Sequence, residues 1–238
     1  MSGWAAKRFW TEARVVVRDA GFSVELDGHP VRTPARAALC LPTRAMAEAV
    51  AAEWDAQEDR IQPATMPVTR AANAAIDKVR AQFAEVAAMI AAYGDTDLLC
   101  YRAEAPQELV RRQAEAWDPL LDWAARRYGA RLVAVTGVMH APQEARTMRA
   151  LAGQVRAMDP FGLTALHDLV GLSGSLVIGL AAIEEVADMA TLWRVSRIDE
   201  TWQEELWGID EEARMQALTK ENAFLAAKRF HDLATDDG

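Results

Sequence analysis

Arg14-Val15-Val16-Val17-Arg18-Asp19-Ala20-Gly21-Phe22-Ser23-Val24-Glu25-Leu26-Asp27-Gly28 decides how this chain begins. Phe22, Val24 and Leu26 alternate with Ser23, Glu25 and Asp27, which places the apolar residues on one face of a strand, and Val15 to Val17 precede them across a turn at Asp19-Ala20-Gly21. The pattern predicts a hairpin with one buried face. Asp27-Gly28 supplies a second turn, Pro30 and Pro34 bracket a short extended piece, and Leu39-Cys40-Leu41 alternates again before Pro42 stops it. A small antiparallel sheet is therefore expected between Arg14 and Pro42.

At Thr43 the period changes. Thr43 can cap a helix on which Met46, Val50 and Trp54 recur every four residues, with Ala47 and Ala51 beside them, as far as Gln57. That helix is expected to lie across the sheet and close its core. Ile61 to Pro67 reads as an extended connector. Beyond it, Ala72, Ile76, Val79, Phe83, Val86, Ile90 and Tyr93 alternate steps of four and three along one helical stripe that ends at Gly94-Asp95. Further helices are predicted at Pro106 to Tyr128, Pro142 to Met158, Phe161 to Gly171, Ser175 to Glu185, Ala187 to Leu206 and Asp210 to Leu233, and only Arg131 to Val135 reads as extended. The expected class is α+β: a β-rich domain with one covering helix over residues 1-66, then a larger all-α domain over residues 67-238, with a loose tail at Thr235 to Gly238.

The 238 residues are 51% hydrophobic and 26% charged, the balance of a folded water-soluble protein. With 26 Lys plus Arg against 35 Asp plus Glu, the formal net charge is -9, which argues against a general nucleic-acid binder. Cys40 and Cys100 are far apart and follow no secretory leader, so both are read as thiols in a reducing compartment, packed as small hydrophobes. The opening Met1-Ser2-Gly3-Trp4-Ala5-Ala6-Lys7-Arg8 has neither the apolar core of a signal peptide nor the length of a transit peptide, and a cytoplasmic location is expected. Leu163 to Ile183 is the most apolar stretch. His167 and Asp168 interrupt it and glycines and serines break it, so it reads as a buried helical hairpin and not as a span of about 20 apolar residues.

Catalytic signatures are missing. No phosphate-binding loop, dinucleotide fingerprint or His-Glu-x-x-His motif is present. Gly171-Leu172-Ser173-Gly174-Ser175 approaches a nucleophile elbow but has Ser175 where the closing glycine belongs, and it follows a helical segment, so a turn between packed helices is the better reading. His29, His140, His167 and His231 are scattered, and no metal or cofactor site is expected. In Asp95-Thr96-Asp97-Leu98-Leu99-Cys100-Tyr101-Arg102, Asp95 or Thr96 is expected to cap the next segment while Leu98, Leu99 and Tyr101 pack. An enzyme using Ser173 or Cys100, such as a small-molecule hydrolase, stands as the alternative function.

Tryptophan placement says more. Trp4, Trp10, Trp54, Trp117, Trp123, Trp193, Trp202 and Trp207 lie on or beside predicted helices, several next to carboxylates. Tryptophan serves both cores and binding hot spots. Along Leu192 to Gly208, Val195, Ile198, Trp202 and Leu206 form one apolar face with Asp199 at its edge. Glu200 turns to the opposite face with Trp193, Arg197 and Glu204, where Arg197 can pair with Glu200. That face reads either as a solvated surface with weak ion pairs or as a Trp-and-acid patch that docks a partner.

Lys7-Arg8-Phe9-Trp10, Leu26-Asp27-Gly28-His29-Pro30-Val31-Arg32-Thr33-Pro34, Leu41-Pro42-Thr43, Glu53-Trp54-Asp55-Ala56-Gln57 and Pro63-Ala64-Thr65-Met66-Pro67-Val68-Thr69 follow one another in an informative order. They continue with Asp95 to Arg102, Trp117-Asp118-Pro119-Leu120-Leu121, Arg197-Ile198-Asp199-Glu200-Thr201-Trp202-Gln203 and Trp207-Gly208. Taken together they resemble the ATP synthase F₁-sector assembly chaperone family. The resemblance implies a non-catalytic, ATP-independent chaperone that holds the unassembled α subunit and shields the surface later covered by the β subunit, in the manner of the mitochondrial members but in a bacterial, cytoplasmic version. It also implies a β-rich N-terminal domain, a helical C-terminal domain, no cofactor and a functional acid at Asp199 or Glu200, of which Glu200 is favoured because the helix turns it away from the apolar stripe. No membrane insertion is implied, and a monomer is the expected state. A scaffold that acts after the α subunit has joined is a third reading.

Overall fold

The computed structural model describes residues 7–236, so the leader reading, Trp4 and the end of the tail lie outside the described residues. Strands β1 (Ala13–Arg18) and β2 (Gly21–Leu26) pair antiparallel with Val15 opposite Val24, and β3 (His29–Pro30) pairs with the end of β2. Both hairpin turns sit where the pattern put them. Gly21 has φ +130° and passes so close to Leu41 that a Cβ there would lie 2.5 Å from its carbonyl oxygen, which reserves the position for glycine. Asp27 and Gly28 both have positive φ, at 46° and 82°, the geometry of a tight hairpin turn. The Asp27 carboxylate also accepts from the Thr11 and Glu12 amides and the Thr11 hydroxyl, and these donors hold its pKa below the ordinary range.

Helix α1 (Arg44–Asp55) starts where Thr43 Oγ1 accepts from the Met46 amide at 3.0 Å. Met46, Ala47, Val50 and Ala51 are buried with Val24, Leu26, Leu39 and Leu41 of the sheet region. Each large side chain buried this way contributes about 1.5–3 kcal/mol. Glu53, near the end of α1, caps α2 (Pro67–Ala74): its carboxylate accepts from the Val68 and Thr69 amides and from the Thr69 hydroxyl. A π-helical turn at Ala75–Val79 follows α2, leading to α3 (Phe83–Ala92).

The chain divides into two compact units. One holds the residues up to Phe83 together with Pro160–Ala165 and the stretch from Arg229; the other holds Ala84–Asp159 and Leu166–Lys228. The sequence boundary between 66 and 67 follows chain order, whereas the units do not. Val68, Ala72, Ala75 and Ile76 face the same core as the sheet, and Phe161, Ala165, Phe230 and Ala234 complete it.

The larger unit contains α4 (Gln107–Tyr128), α5 (Ala145–Arg156), most of α6 (Pro160–Ser173), α7 (Leu176–Ile183), α8 (Met189–Ser196), α9 (Ile198–Trp207) and the first part of α10 (Glu211–Thr235). It is not purely helical. Strands β4 (Tyr101–Arg102) and β5 (Val135–Thr136) pair in parallel, and the extended reading of Arg131 to Val135 overlaps only the start of β5. The α6–α7 hairpin is buried as expected, with Gly179 so near Val170 that a Cβ would lie 2.6 Å from its Cγ2. Among the described residues, no helix is long and apolar enough to cross a membrane.

Asp97, and not Asp95 or Thr96, is the cap in the acidic stretch. Fully buried, it accepts from the Leu99 and Val177 amides at 3.0 Å each, so one carboxylate closes the turn at Leu98–Cys100 and the start of α7. Asp95 instead accepts from the Gln143 amide at 2.7 Å. The sequence pattern points to Asp95 or Thr96; Asp97, the second acid of the run, takes the role because its carboxylate reaches two sets of orphan helix-start amides at once.

Candidate functional site

The motif from Arg197 to Gln203 sits where the predicted single helix breaks. Helix α8 is capped by Asp188, whose carboxylate accepts from the Thr191 amide, and it ends at Arg197, where φ −115° and ψ 18° leave the helical region before α9 begins. The break re-aims the side chains. Trp193 lies on the buried side, 7% exposed and 5.6 Å ring to ring from Phe224, so it does not share an open face with Glu200. Leu206, placed on the apolar face by an unbroken helix, is exposed.

Three links fasten this segment to α4. Trp117, completely buried, donates its indole N–H to the Val195 carbonyl at 2.9 Å. Gln113, also buried, donates to Asp199 Oδ1 at 2.6 Å and accepts from the Ala103 amide at 2.8 Å. Arg112 reaches both carboxylate oxygens of Glu205, at 2.8 and 2.7 Å, and stacks over the Trp202 ring at 4.9 Å. The Arg102 guanidinium lies 5.2 Å from the Trp117 ring and pairs with Asp118 at 2.7 Å.

Asp199 is thus held inward by α4, while Glu200 is exposed and meets Arg197 at 2.7 Å across the predicted three-residue spacing. Arg197 lies over the Trp193 ring at 5.8 Å, which orients its guanidinium toward Glu200. Glu204 is half-buried one turn further along α9. The structure therefore brings Arg197, Asp199 and Glu200 together at the start of α9 and gives the two acids different surroundings. Gln113 and Arg112 were missed from sequence. Gln113 could have been found as the polar member of the buried stripe Leu109, Gln113, Trp117, Leu120 and Ala124; Arg112 carries no such signal.

The two candidate nucleophiles sit in settings unsuited to attack. The Ser173 hydroxyl donates to the Leu169 carbonyl at 2.7 Å inside the end of α6. Burial and the Asp97 carboxylate push the Cys100 thiol up to about 12, so it stays protonated at neutral pH. Among the described residues, no group of His, Cys, Asp and Glu could hold a metal ion.

A family model for the ATP12 chaperone protein matches residues 7–125. The crystal structure of Atp12 from Paracoccus denitrificans superposes with a TM-score of 0.94 at 50% identity, covering 98% of this chain and 100% of that one. The chain belongs to the ATP12 chaperone protein family. This is the ATP synthase assembly family that the ordered motifs resemble, and the small sheet followed by a larger helical region is its fold. An aspartate-to-lysine mutant of the Paracoccus Atp12 protein matches equally, with a TM-score of 0.95 at 50% identity over 98% of this chain and all of that one. Protein atp12, mitochondrial, from Schizosaccharomyces pombe is 21% identical over 219 residues, covering 87% of this chain and 75% of that protein.

Proposed function

We propose that this member of the ATP12 family is an ATP-independent chaperone for the unassembled α subunit of ATP synthase, which it holds until the β subunit takes its place in the F₁ head. The observation that carries the reading is the match of nearly the whole chain, at half identity, to an Atp12 structure. The physical logic is substitution. A subunit whose oligomer interface is bare aggregates through that apolar surface, and a transient cover raises the yield of correct assembly.

In this reading the start of α9 touches the client through Glu200, with Arg197 steering that carboxylate and Glu204 extending the acidic face. Asp199 and Trp193 act from behind, through Gln113 and Phe224. The chaperone is a non-enzyme, works in the cytoplasm as a monomer and needs no cofactor. Release comes from competition by the β subunit.

Size-exclusion chromatography of the protein mixed with isolated α subunit, before and after addition of β subunit, tests the proposal. The expected result is a complex that forms with α and dissolves when β arrives. Absence of co-elution, with α aggregating as fast as it does alone, overturns it. Binding to the assembled head but not to free α assigns the protein to a later scaffolding step.

A further inference from the structure

The end of α9 and the start of α10 carry a run of large apolar side chains that the fold leaves bare. Trp207 is 78% exposed, Met215 60% and Ile209 58%, and Leu206 and Leu218 are exposed as well. Glycine at 208, with φ +89°, turns the chain between the two helices and sets Trp207 and Ile209 on a corner. On α10, Met215, Leu218 and Leu225 fall within about 80° around the helix axis, on the side away from the buried Phe224. From Glu211 to Lys220 no residue of α10 is buried. An isolated solvent-facing leucine is ordinary, whereas five exposed large apolar groups between Leu206 and Leu218 are the mark of a binding surface.

The charge around this ridge is mostly acidic. From Asp199 to Glu212 the sequence holds seven carboxylates and neither lysine nor arginine: Asp199, Glu200, Glu204, Glu205, Asp210, Glu211 and Glu212. Arg112, reaching across from α4, meets Glu205, and on α10 Arg214 lies 3.8 Å from Glu211 with Lys220 further along, but carboxylates outnumber these cations along the border. A second copy of this chain would bring the same carboxylates against these, and an anionic membrane or nucleic acid would be repelled.

We infer that the α9–α10 corner, centred on Trp207, Ile209 and Met215, is the docking ridge for an apolar surface bordered by lysine and arginine on the unassembled client subunit. The inference rests on the chaperone reading and adds to it the place and chemistry of contact. The ridge supplies the apolar anchor and the acids select the basic rim and orient it, so Glu200 stands at the edge of the contact and Trp207 at its centre. A central exposed tryptophan is the kind of group whose truncation dominates binding loss.

The test uses the full chain and two probes. The first is the isolated α subunit, titrated against the wild type and the Trp207→Ala/Met215→Ser double variant. Both side chains are exposed, so the melting temperature is expected to stay within about 3 °C. Affinity is expected to fall roughly tenfold to a hundredfold. The second probe is a pair of synthetic amphipathic peptides of leucine with either lysine or glutamate, followed by tryptophan emission in the wild type and in Trp207→Phe. Binding of the lysine peptide alone is expected, weakened roughly tenfold or more by screening between about 0.05 and 0.5 M salt, with the emission shift lost in Trp207→Phe. If α binds the double variant as well as the wild type, the ridge inference is overturned while the client reading stands. If α fails to bind the wild type while the lysine peptide binds at Trp207, the ridge stands and the choice of client falls. Equal binding of both peptides, or a dimer in solution that the double variant dissolves, also overturns the inference.

Discussion

Asp199 accepts a 2.6 Å hydrogen bond from Gln113, 86 positions earlier in the chain, while the adjacent Glu200 faces solvent. Two neighbouring acids in one motif therefore have different work, and substitutions separate them. Asp199→Ala leaves the amide of Gln113, only 1% exposed, without its acceptor, at a cost of about 1–3 kcal/mol. Thermal unfolding should fall by roughly 2–10 °C. Glu200→Ala removes one exposed three-residue pair worth about 0.2–0.5 kcal/mol and should leave the melt nearly unchanged while weakening α-subunit capture. Differential scanning fluorimetry beside the chromatographic assay reads both. A melt lowered as much by Glu200→Ala as by Asp199→Ala would make the two acids structural alike.

Trp117 ties α4 to the end of α8 through its indole N–H and its buried ring. Trp117→Phe loses the bond to the Val195 carbonyl and leaves a void, and should destabilise by about 1–3 kcal/mol in urea unfolding. Hydrogen exchange should rise first at amides of α8 and α9. Uniform acceleration across the chain would show that the indole holds the whole unit and not this segment.

Burial pushes the Asp97 carboxyl up to about 6, above its usual 3.8, against the pull of the Ser175 hydroxyl and the surrounding amides. An acid with a raised folded-state pKa favours folding most when both states are protonated. Its contribution is fully present below about 3.8 and is lost as pH rises through about 6. The stability difference between wild type and Asp97→Asn should therefore shift against the wild type from about pH 4 to about pH 6 and level off about one pH unit higher. A difference that is flat over that range, measured by urea unfolding, would show that the carboxylate stays ionised throughout.

The two cysteines should differ sharply toward a thiol reagent. Cys100 is buried with its thiol held protonated, whereas Cys40 is partly accessible and only hydrogen bonds the Ala20 carbonyl. At about pH 8, where an ordinary thiol is partly ionised, the native protein should react with one equivalent of Ellman's reagent, at Cys40, and with two in denaturant. Rapid native reaction that persists in Cys40→Ser would mean that Cys100 opens to solvent and would restore it as a candidate nucleophile.

Much of the smaller unit was legible because its signals are local. The two-residue alternation around Val24, the Asp27-Gly28 turn and the Thr43 cap each involve residues a few positions apart, and each appears as read. The Arg197–Glu200 pair was legible for the same reason. What failed to show depends on residues far apart in sequence. Phe161 and Phe230 join the core of the sheet from distant helices, Asp97 reaches Val177 across 80 positions, and Gln113 finds Asp199 across 86. The helix break at Arg197 was hidden because helical periodicity runs through it without a glycine or proline, and with it went the correct side for Trp193. The exposed corner at Trp207 could not be read from pattern, since an apolar residue looks the same in sequence whether a neighbour covers it or not.

The core beneath the N-terminal sheet has its last wall supplied from the other end of the chain. Phe230 packs against Phe161 at 6.2 Å, Ala234 is buried in the same cluster, and the Thr43 hydroxyl donates to the Leu233 carbonyl. The ribosome therefore makes β1, β2 and α1 well before α10, and their core is not closed until α10 has been translated. A nascent chain stalled between α1 and α10 presents its sheet with one side open to the quality-control machinery of the cell.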